Sequence, residues 1–314
     1  MKRVSLIIIL VFIYSCLSAQ WHIIQIDSLI PSKNDIRSIV FDNQGSIWIG
    51  TSYGVYQEDG DSWKKQTPDN ESLYIESLNI NTSGEIFGGV WGGGVYRANI
   101  TNREWLKDNQ ASISMSANSI FTDSKGTTWI GTWDKGVVEI GVKKTSNYTS
   151  VNALLGDNTI TCFAEGENNE MWIGTLHGVS SYDGTSWKLY NKEQGELPSN
   201  DIYALTVDKD GTLWIGTASG LVKKIGETWT VFSSTNSILP SNTILSLTTD
   251  SNNVIWIGTN KGIVGMKGDL QKIHTTENSN LVDNRIQTII EKNGKLYVGT
   301  QLGLAVLDLS TFSF

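Results

Sequence analysis

Apolar residues along this chain come in short bursts rather than long faces. In NDIYALTVD the apolar positions Ile202, Leu205 and Val207 read as an alternating strand. The turn KDG leads from there into TLWIGT, a glycine turn leads into GLVKKI, and GETWTVFS supplies a fourth burst. Each burst is a few residues long, rich in Trp, Ile, Val and Thr, and bounded by Gly, Asn or Asp. That is the pattern of β-strands joined by hairpin turns. No long stretch with 3.6-residue periodicity separates the strands, which argues against α/β barrels and helical repeats.

The four-burst unit recurs. The glycine of the phrase W-I-G-T stands at Gly50, Gly89, Gly131, Gly174, Gly216, Gly258 and Gly299, at intervals of 39, 42, 43, 42, 42 and 41 residues. The second unit, IFGGVWGGGV, and the seventh, LYVGTQLGL, depart from the phrase without breaking its register. Four antiparallel strands in about 42 residues describe a propeller blade. The expected fold is therefore all-β, a seven-bladed β-propeller with four antiparallel strands per blade. Trp48, Trp129, Trp172, Trp214 and Trp256 hold one position per unit and are expected to fill the wedge between neighbouring sheets. Trp63, Trp105, Trp187 and Trp229 recur near the outer strand as further packing residues. Asn34, Asn158, Asn200, Asn242 and Asn284 mark the turn into the innermost strand, where the side chain can satisfy backbone groups. A ring of asparagines facing a ligand is the alternative.

The last unit ends GLAVLDLSTFSF, one strand short, and WHIIQI at residues 21–26 is a strand without a unit. Pairing Trp21 to Ile26 with Gly303 to Asp308 would complete the seventh blade and leave no open edge in the ring. Before it stands MKRVSLIIILVFIYSCLSAQ: Lys2 and Arg3, an apolar run from Val4 to Tyr14, and small residues before Gln20. This reads as a secretory signal peptide over 1–19, followed by a single propeller domain over 20–314. The apolar run is shorter than the roughly 20 residues a spanning helix needs, so no transmembrane segment is expected. The expected location is periplasmic or extracellular. Lipid attachment at Cys16 is the alternative, since I-Y-S-C is similar to a lipoprotein signal.

The phrases N-x-I-x-x-L-x-x-D, G-x-L-W-I-G-T and G-L resemble the two-component regulator propeller repeat. That repeat occurs in periplasmic sensor halves of hybrid histidine kinases of Bacteroidetes-like bacteria, many of which respond to polysaccharide fragments. The resemblance implies a sensing or binding role. The streptogramin B lyases, also seven-bladed, are more distantly similar, but their lyase motif is not recognisable here.

Composition narrows the choices. A net charge of −8 without a basic stripe argues against nucleic acid and anionic membranes as partners. Cys162, in the strand-like TITCF, reads as a packed thiol. There is no H-x-x-x-H or H-E-x-x-H pair, no G-x-S-x-G elbow and no calcium loop, so neither metal nor cofactor is expected. Function should then sit where the units differ. The loop after W-I-G-T carries Tyr53, Trp91, Trp133 with Asp134, and His177 in units one to four, and small or polar residues mostly in units five to seven. These five are the candidate ligand-binding residues, with a glycan or a partner protein as ligand. Trp91 and Trp133 folding inward to plug the channel is the bland alternative. Arg37, Tyr74 and Glu76, which precede or enter inner strands, are expected on the same face. A lyase or hydrolase using Asp134 and His177 as acid and base is the other functional class; a binding module is favoured, with the protein monomeric. Intact-mass measurement of the exported protein should give a chain beginning at Gln20, and a diacylglyceryl Cys16 at the N-terminus would overturn that expectation.

Overall fold

The computed structural model describes residues 21–24, 26, 34–68, 72–99, 104–108, 116–141 and 144–314. The expected leader, its cleavage point before Gln20 and Cys16 lie outside them. Strand β1 (Trp21–Ile24) comes first. Blade 1 is β2 to β5 (Ile36–Phe41, Ile47–Thr51, Gly54–Asp59, Ser62–Lys65), and blade 2 is β6 to β9 (Ile75–Ile80, Glu85–Val90, Gly94–Asn99, Leu106–Lys107). Blade 3 is β10 to β13 (Ala117–Thr122, Thr128–Thr132, Val137–Ile140, Thr145–Tyr148). Blade 4 is β14 to β17 (Ile160–Glu165, Met171–Thr175, Gly178–Tyr182, Trp187–Tyr190). Blade 5 is β18 to β21 (Ile202–Val207, Leu213–Thr217, Gly220–Ile225, Thr228–Phe232). Blade 6 is β22 to β25 (Ile244–Thr249, Ile255–Thr259, Gly262–Lys267, Leu270–His274). Blade 7 takes β26 to β28 (Ile286–Lys292, Lys295–Thr300, Leu304–Asp308) and receives β1 as its outer strand. The result is a seven-bladed propeller of four-stranded antiparallel sheets, as the repeat requires.

Packing is organised between blades. Seven buried apolar clusters each join one sheet to the next. Trp48 packs with Ile75 and Leu78, Trp129 with Ile160 and Phe163, and Trp214 with Ile244 and Ile257. Phe87 takes the tryptophan's place in blade 2 and Tyr297 in blade 7. Trp48, Trp129, Trp214 and Trp256 share one device. Asp42 Oδ1 accepts the Gln44 and Ser46 amides of its turn, while Oδ2 accepts the Trp48 indole N–H at 2.9 Å. Asp123, Asp208 and Asp250 repeat the bond to Trp129, Trp214 and Trp256. One carboxylate thus fixes a hairpin and orients a wedge residue, the charge met by N–H groups as burial demands. Where the indole is absent, Asn81 stands in place of the aspartate and accepts the Ser83 and Glu85 amides.

Asparagines tie blade to blade. Asn158, Asn200, Asn242 and Asn284 each accept, through Oδ1, the backbone N–H eight residues earlier, at the end of the preceding blade's outer strand. Asn34 does the same to Ile26 at 2.6 Å. Their role is backbone satisfaction.

The closure has the expected register, with Trp21 opposite Leu307 and Ile24 opposite Leu304. It is shorter than the sequence suggested, ending at Ile24, with Ile26 in a bend. Trp21 buries against Trp256 and Leu296, and its indole N–H donates to His274 Nδ1 at 3.4 Å. Burial, with Lys272 adding to it, depresses the His274 imidazole to about 4. The unfolded chain therefore binds this proton first as pH falls. The closure should lose stability between about pH 6.5 and 4 and hold it fully above that window. Thermal unfolding at pH 7.5 and 4.5 should show a larger drop for the native protein than for His274→Gln; equal drops would remove the group from the account.

The W-I-G-T glycines set the inter-blade distance. A Cβ on Gly258 would lie 2.6 Å from Ile286 Cγ2 of blade 7 and 2.3 Å from Ser246 Oγ. On Gly299 it would lie 2.7 Å from Ile36 Cγ2 of blade 1, so the same approach closes the ring. Gly258→Ala should cost about 1–3 kcal/mol through overpacking, measurable as a lower urea midpoint. An unchanged midpoint would refute this role for the glycine.

Candidate functional site

Each innermost strand carries the same irregularity. Its pairing with the second strand shifts register between the first and third residues, at Ile36/Ser38, Ile75/Ser77, Ala117/Ser119 and Ile160/Cys162. The shift recurs at Ile202/Ala204, Ile244/Ser246 and Ile286/Thr288. The second residue is thus the extra residue of a β-bulge, without a partner in the ladder, and a bulge re-aims its side chain. All seven bulged side chains line one cavity of about 840 Å³ on the propeller axis. Blades 1 to 4 contribute Arg37, Glu76, Asn118 and Thr161; blades 5 to 7 contribute Tyr203, Leu245 and Gln287.

The third residue is small because it faces the W-I-G-T glycine of its own blade. Ser38 and Ser77 also accept the Leu78 and Ile120 amides of the next blade, at 2.9 and 3.1 Å. Cys162 occupies this position in blade 4, where burial pushes its thiol up to about 12. It is a packed thiol, as its strand context suggested.

Polar groups of blades 1, 2 and 7 interlock. Arg37 donates to Glu76 Oε2 at 2.8 and 3.1 Å, lies 3.7 Å from Asp35, and covers the Tyr74 ring at 4.8 Å. Burial opposes the Arg37 charge, but Glu76, Tyr74 and Asp35 together outweigh it and hold the guanidinium above its ordinary value. Gln287 donates to Asp35 Oδ1 at 2.6 Å, and Ser52 donates to Asp35 Oδ2. Across the channel, burial and then the field of Asp201 raise the Tyr203 phenol, which stays a neutral hydroxyl.

Trp91 and Trp133 also line this cavity. Their rings meet edge to face, with centroids 5.3 Å apart and planes at 72°, yet they remain 49% and 47% exposed. Phe87 and Trp129 already fill the wedges of their blades, so packing does not call for them. Their turns are also unusual. From Thr51, Thr175, Thr217, Thr259 and Thr300 the chain reaches the turn glycine in three residues, whereas from Val90 to Gly94 and from Thr132 to Gly136 it takes four. Each tryptophan sits at the start of a turn lengthened by one residue, its backbone N–H donating to Tyr74 O at 3.0 Å or Ser116 O at 3.2 Å.

The other three candidates lie elsewhere. Tyr53 and His177 occupy the second turn position, where each N–H donates at 3.0 Å to the threonine hydroxyl that opens the turn. Asp134 takes the equivalent place and lies 3.2 Å from Lys135 Nζ. None of the three lines the cavity. In blades 2 and 3 it is the first turn position, not the second, that lines the cavity. No hydrogen bond or ion pair joins Asp134 to His177 among the described residues. The carboxylate in the field of His177 is Glu193, held below its usual range first by the Asn200 amide and only in smaller part by His177. Also among the described residues, no group of three or more His, Cys, Asp and Glu side chains is arranged to hold a metal.

Of the residues that line the cavity, the sequence pointed to the two tryptophans, Arg37 and Glu76. It missed Asn118, Thr161, Tyr203, Leu245, Gln287 and Arg285. The signal was present: in I-x-x-L the apolar residues stand three apart, which a regular strand cannot place on one face.

The architecture is that of a seven-bladed β-propeller with an asymmetric axial cavity. Segments 31–53, 154–177, 196–219 and 238–261, in units one, four, five and six, match the two-component regulator propeller model. The two units bearing the exposed tryptophans fall outside these segments. In structure the chain is similar to the extracellular domain of the putative hybrid two-component system BT3049 from Bacteroides thetaiotaomicron. The TM-score is 0.81 at 22% identity over 92% of this chain and 41% of that one. It therefore spans about two fifths of that extracellular domain's length. A catalytically inactive virginiamycin B lyase from Staphylococcus aureus, crystallised with quinupristin, gives a TM-score of 0.74 at 11% identity, covering 92% and 99% of the two chains. PorZ, a surface component of the type-IX secretion system of Porphyromonas gingivalis, gives 0.68 at 19% identity over 90% and 48%. These likenesses establish the fold. No curated protein matches the chain.

Proposed function

We propose that this chain is an exported binding module that takes a glycan at the mouth of its axial channel. One observation carries the reading: two half-exposed tryptophans, held edge to face on lengthened turns, stand over a cavity lined largely by polar bulged residues. Apolar faces of sugar rings stack on indoles, while hydroxyls need the donors and acceptors that Asn118, Thr161 and Tyr203 supply. An exposed aromatic pair without a packing role is the usual mark of a recognition site. The repeat family and the extracellular domain of the Bacteroides two-component system support a sensing context outside the cytoplasm. Tyr53, Asp134 and His177 act in this reading as secondary contacts on the rim, and no residue is assigned a catalytic role.

A glycan array probed with the exported protein should yield ligands whose affinity falls at least about tenfold in Trp91→Ala and Trp133→Ala, in line with loss of a binding hot spot. Both variants should unfold within a few degrees of the native protein, because neither ring fills a wedge. Unchanged affinity, or collapse of the fold in both, would reject the site.

A further inference from the structure

We infer that the glycan taken by this channel is acidic, a uronic acid-containing saccharide whose carboxylate is met by Arg285. The inference rests on the binding reading above and goes further in naming the charge and the residue that selects it. Two guanidinium groups line the cavity, and they are not equivalent. Arg37 is spent: Glu76 pairs with it at 2.8 Å, and Asp35 stands 3.7 Å away. Arg285, immediately before β26, is exposed, and among the described residues its side chain forms no ion pair and no hydrogen bond.

The balance of the lining follows. Among the lining residues Glu76 is the sole carboxylate and is paired with Arg37, so Arg285 is the lining cation without an ion pair, while Asp35 beside Arg37 is held by Ser52 and Gln287. The whole chain, by contrast, carries −8. A cation kept clear of partners at the mouth of an acidic protein's cavity draws an anion there, and the low-dielectric wall strengthens the attraction. A guanidinium presents a planar fork of donors that fits a carboxylate in two hydrogen bonds. The neighbouring walls supply the rest of a sugar acid's needs. Leu245 and the Tyr203 ring give apolar surface on one side, and the Trp91–Trp133 pair gives stacking surface on the other. An anion without a ring would use Arg285 and leave both tryptophans idle, so a pyranose bearing a carboxylate fits the cavity better than inorganic phosphate.

The test compares tetragalacturonate with neutral galactotetraose, titrated into the exported protein by calorimetry at low and moderate salt. The acidic tetramer should bind at least about tenfold more tightly at low salt, and the advantage should shrink as salt screens the pair. Arg285→Gln should bind the acidic tetramer no better than the neutral one, with circular dichroism and melting temperature as in the native protein. Equal binding of the two tetramers, or an acidic preference that survives Arg285→Gln, would overturn the inference while leaving tryptophan-dependent glycan binding in place. Binding of neither tetramer, or binding insensitive to Trp91→Ala and Trp133→Ala, would reject the glycan reading itself. An acetylated tetrapeptide with a free terminal carboxylate completes the panel. Tighter binding of that peptide than of tetragalacturonate would assign Arg285 to a protein terminus and overturn the inference.

Discussion

The approach of each innermost strand to the glycine of the preceding blade is the constraint on which the rest depends. At Gly50, Gly131, Gly216, Gly258 and Gly299 the space a Cβ would need is filled by an isoleucine of the next sheet, at 2.5 to 2.7 Å. Only with that space given up do the inner strands come close enough to share a channel narrow enough to be lined by side chains. The aromatic wedge further out completes the geometry, since sheets that touch at the axis diverge towards the periphery. Trp48, Trp129, Trp172, Trp214 and Trp256 fill that divergence at 0–5% exposure. The glycine and the tryptophan, two residues apart in one phrase, are therefore the inner and outer halves of a single packing solution.

This is why the fold could be read from the sequence and the site only in part. Residues that solve a problem common to all blades recur at a fixed interval: Gly258 with Trp256, or Asn242 with its bond to Ser234. The closing strand was legible for the same reason, because one unit lacked a strand and one strand lacked a unit. The site depends on what does not recur. Arg37, Glu76 and Tyr203 hold one bulged position yet have no chemistry in common, so no repeat pattern can mark them. Ile202, Leu205 and Val207 resemble simple alternation, but the step of three between the first two is the bulge itself. Asp134 and His177, paired on blade adjacency, share no hydrogen bond or ion pair among the described residues. Blade adjacency brings turns near one another but does not decide which side chains meet, and in blades 2 and 3 the first turn position lines the cavity while the second does not.

A division of labour between positions follows from the bulge. The residues on either side of it carry the stability of the ring. The buried first residue packs against the neighbouring glycine, and the small third residue leaves room for the glycine of its own blade. The bulged residue between them belongs to no ladder pair and to no inter-blade wedge. Arg37, Asn118 and Leu245 can therefore differ in charge, polarity and size while their strands superpose in role. The same separation holds at the turns, where one added residue before Gly94 and Gly136 leaves the threonine-glycine geometry of the other five blades untouched.

The closure has a mechanical consequence. Strand β1 runs antiparallel to β28, and its first residue, Trp21, faces Leu307, close to the end of the chain. Trp21 and Leu307 thus stand at the same end of the closing pair, beyond which the chain turns through Leu309–Thr311 and Phe312 packs against Trp256 and His274. A pull applied between Trp21 and Leu307 does not shear the pair along its length. It opens the pair like a zip, one set of hydrogen bonds at a time, beginning at Trp21, so the resistance at any moment is that of a single rung rather than the sum of them. The ring is closed firmly against thermal fluctuation, which must break the whole strand and its buried indole together, and weakly against tension between Trp21 and Leu307.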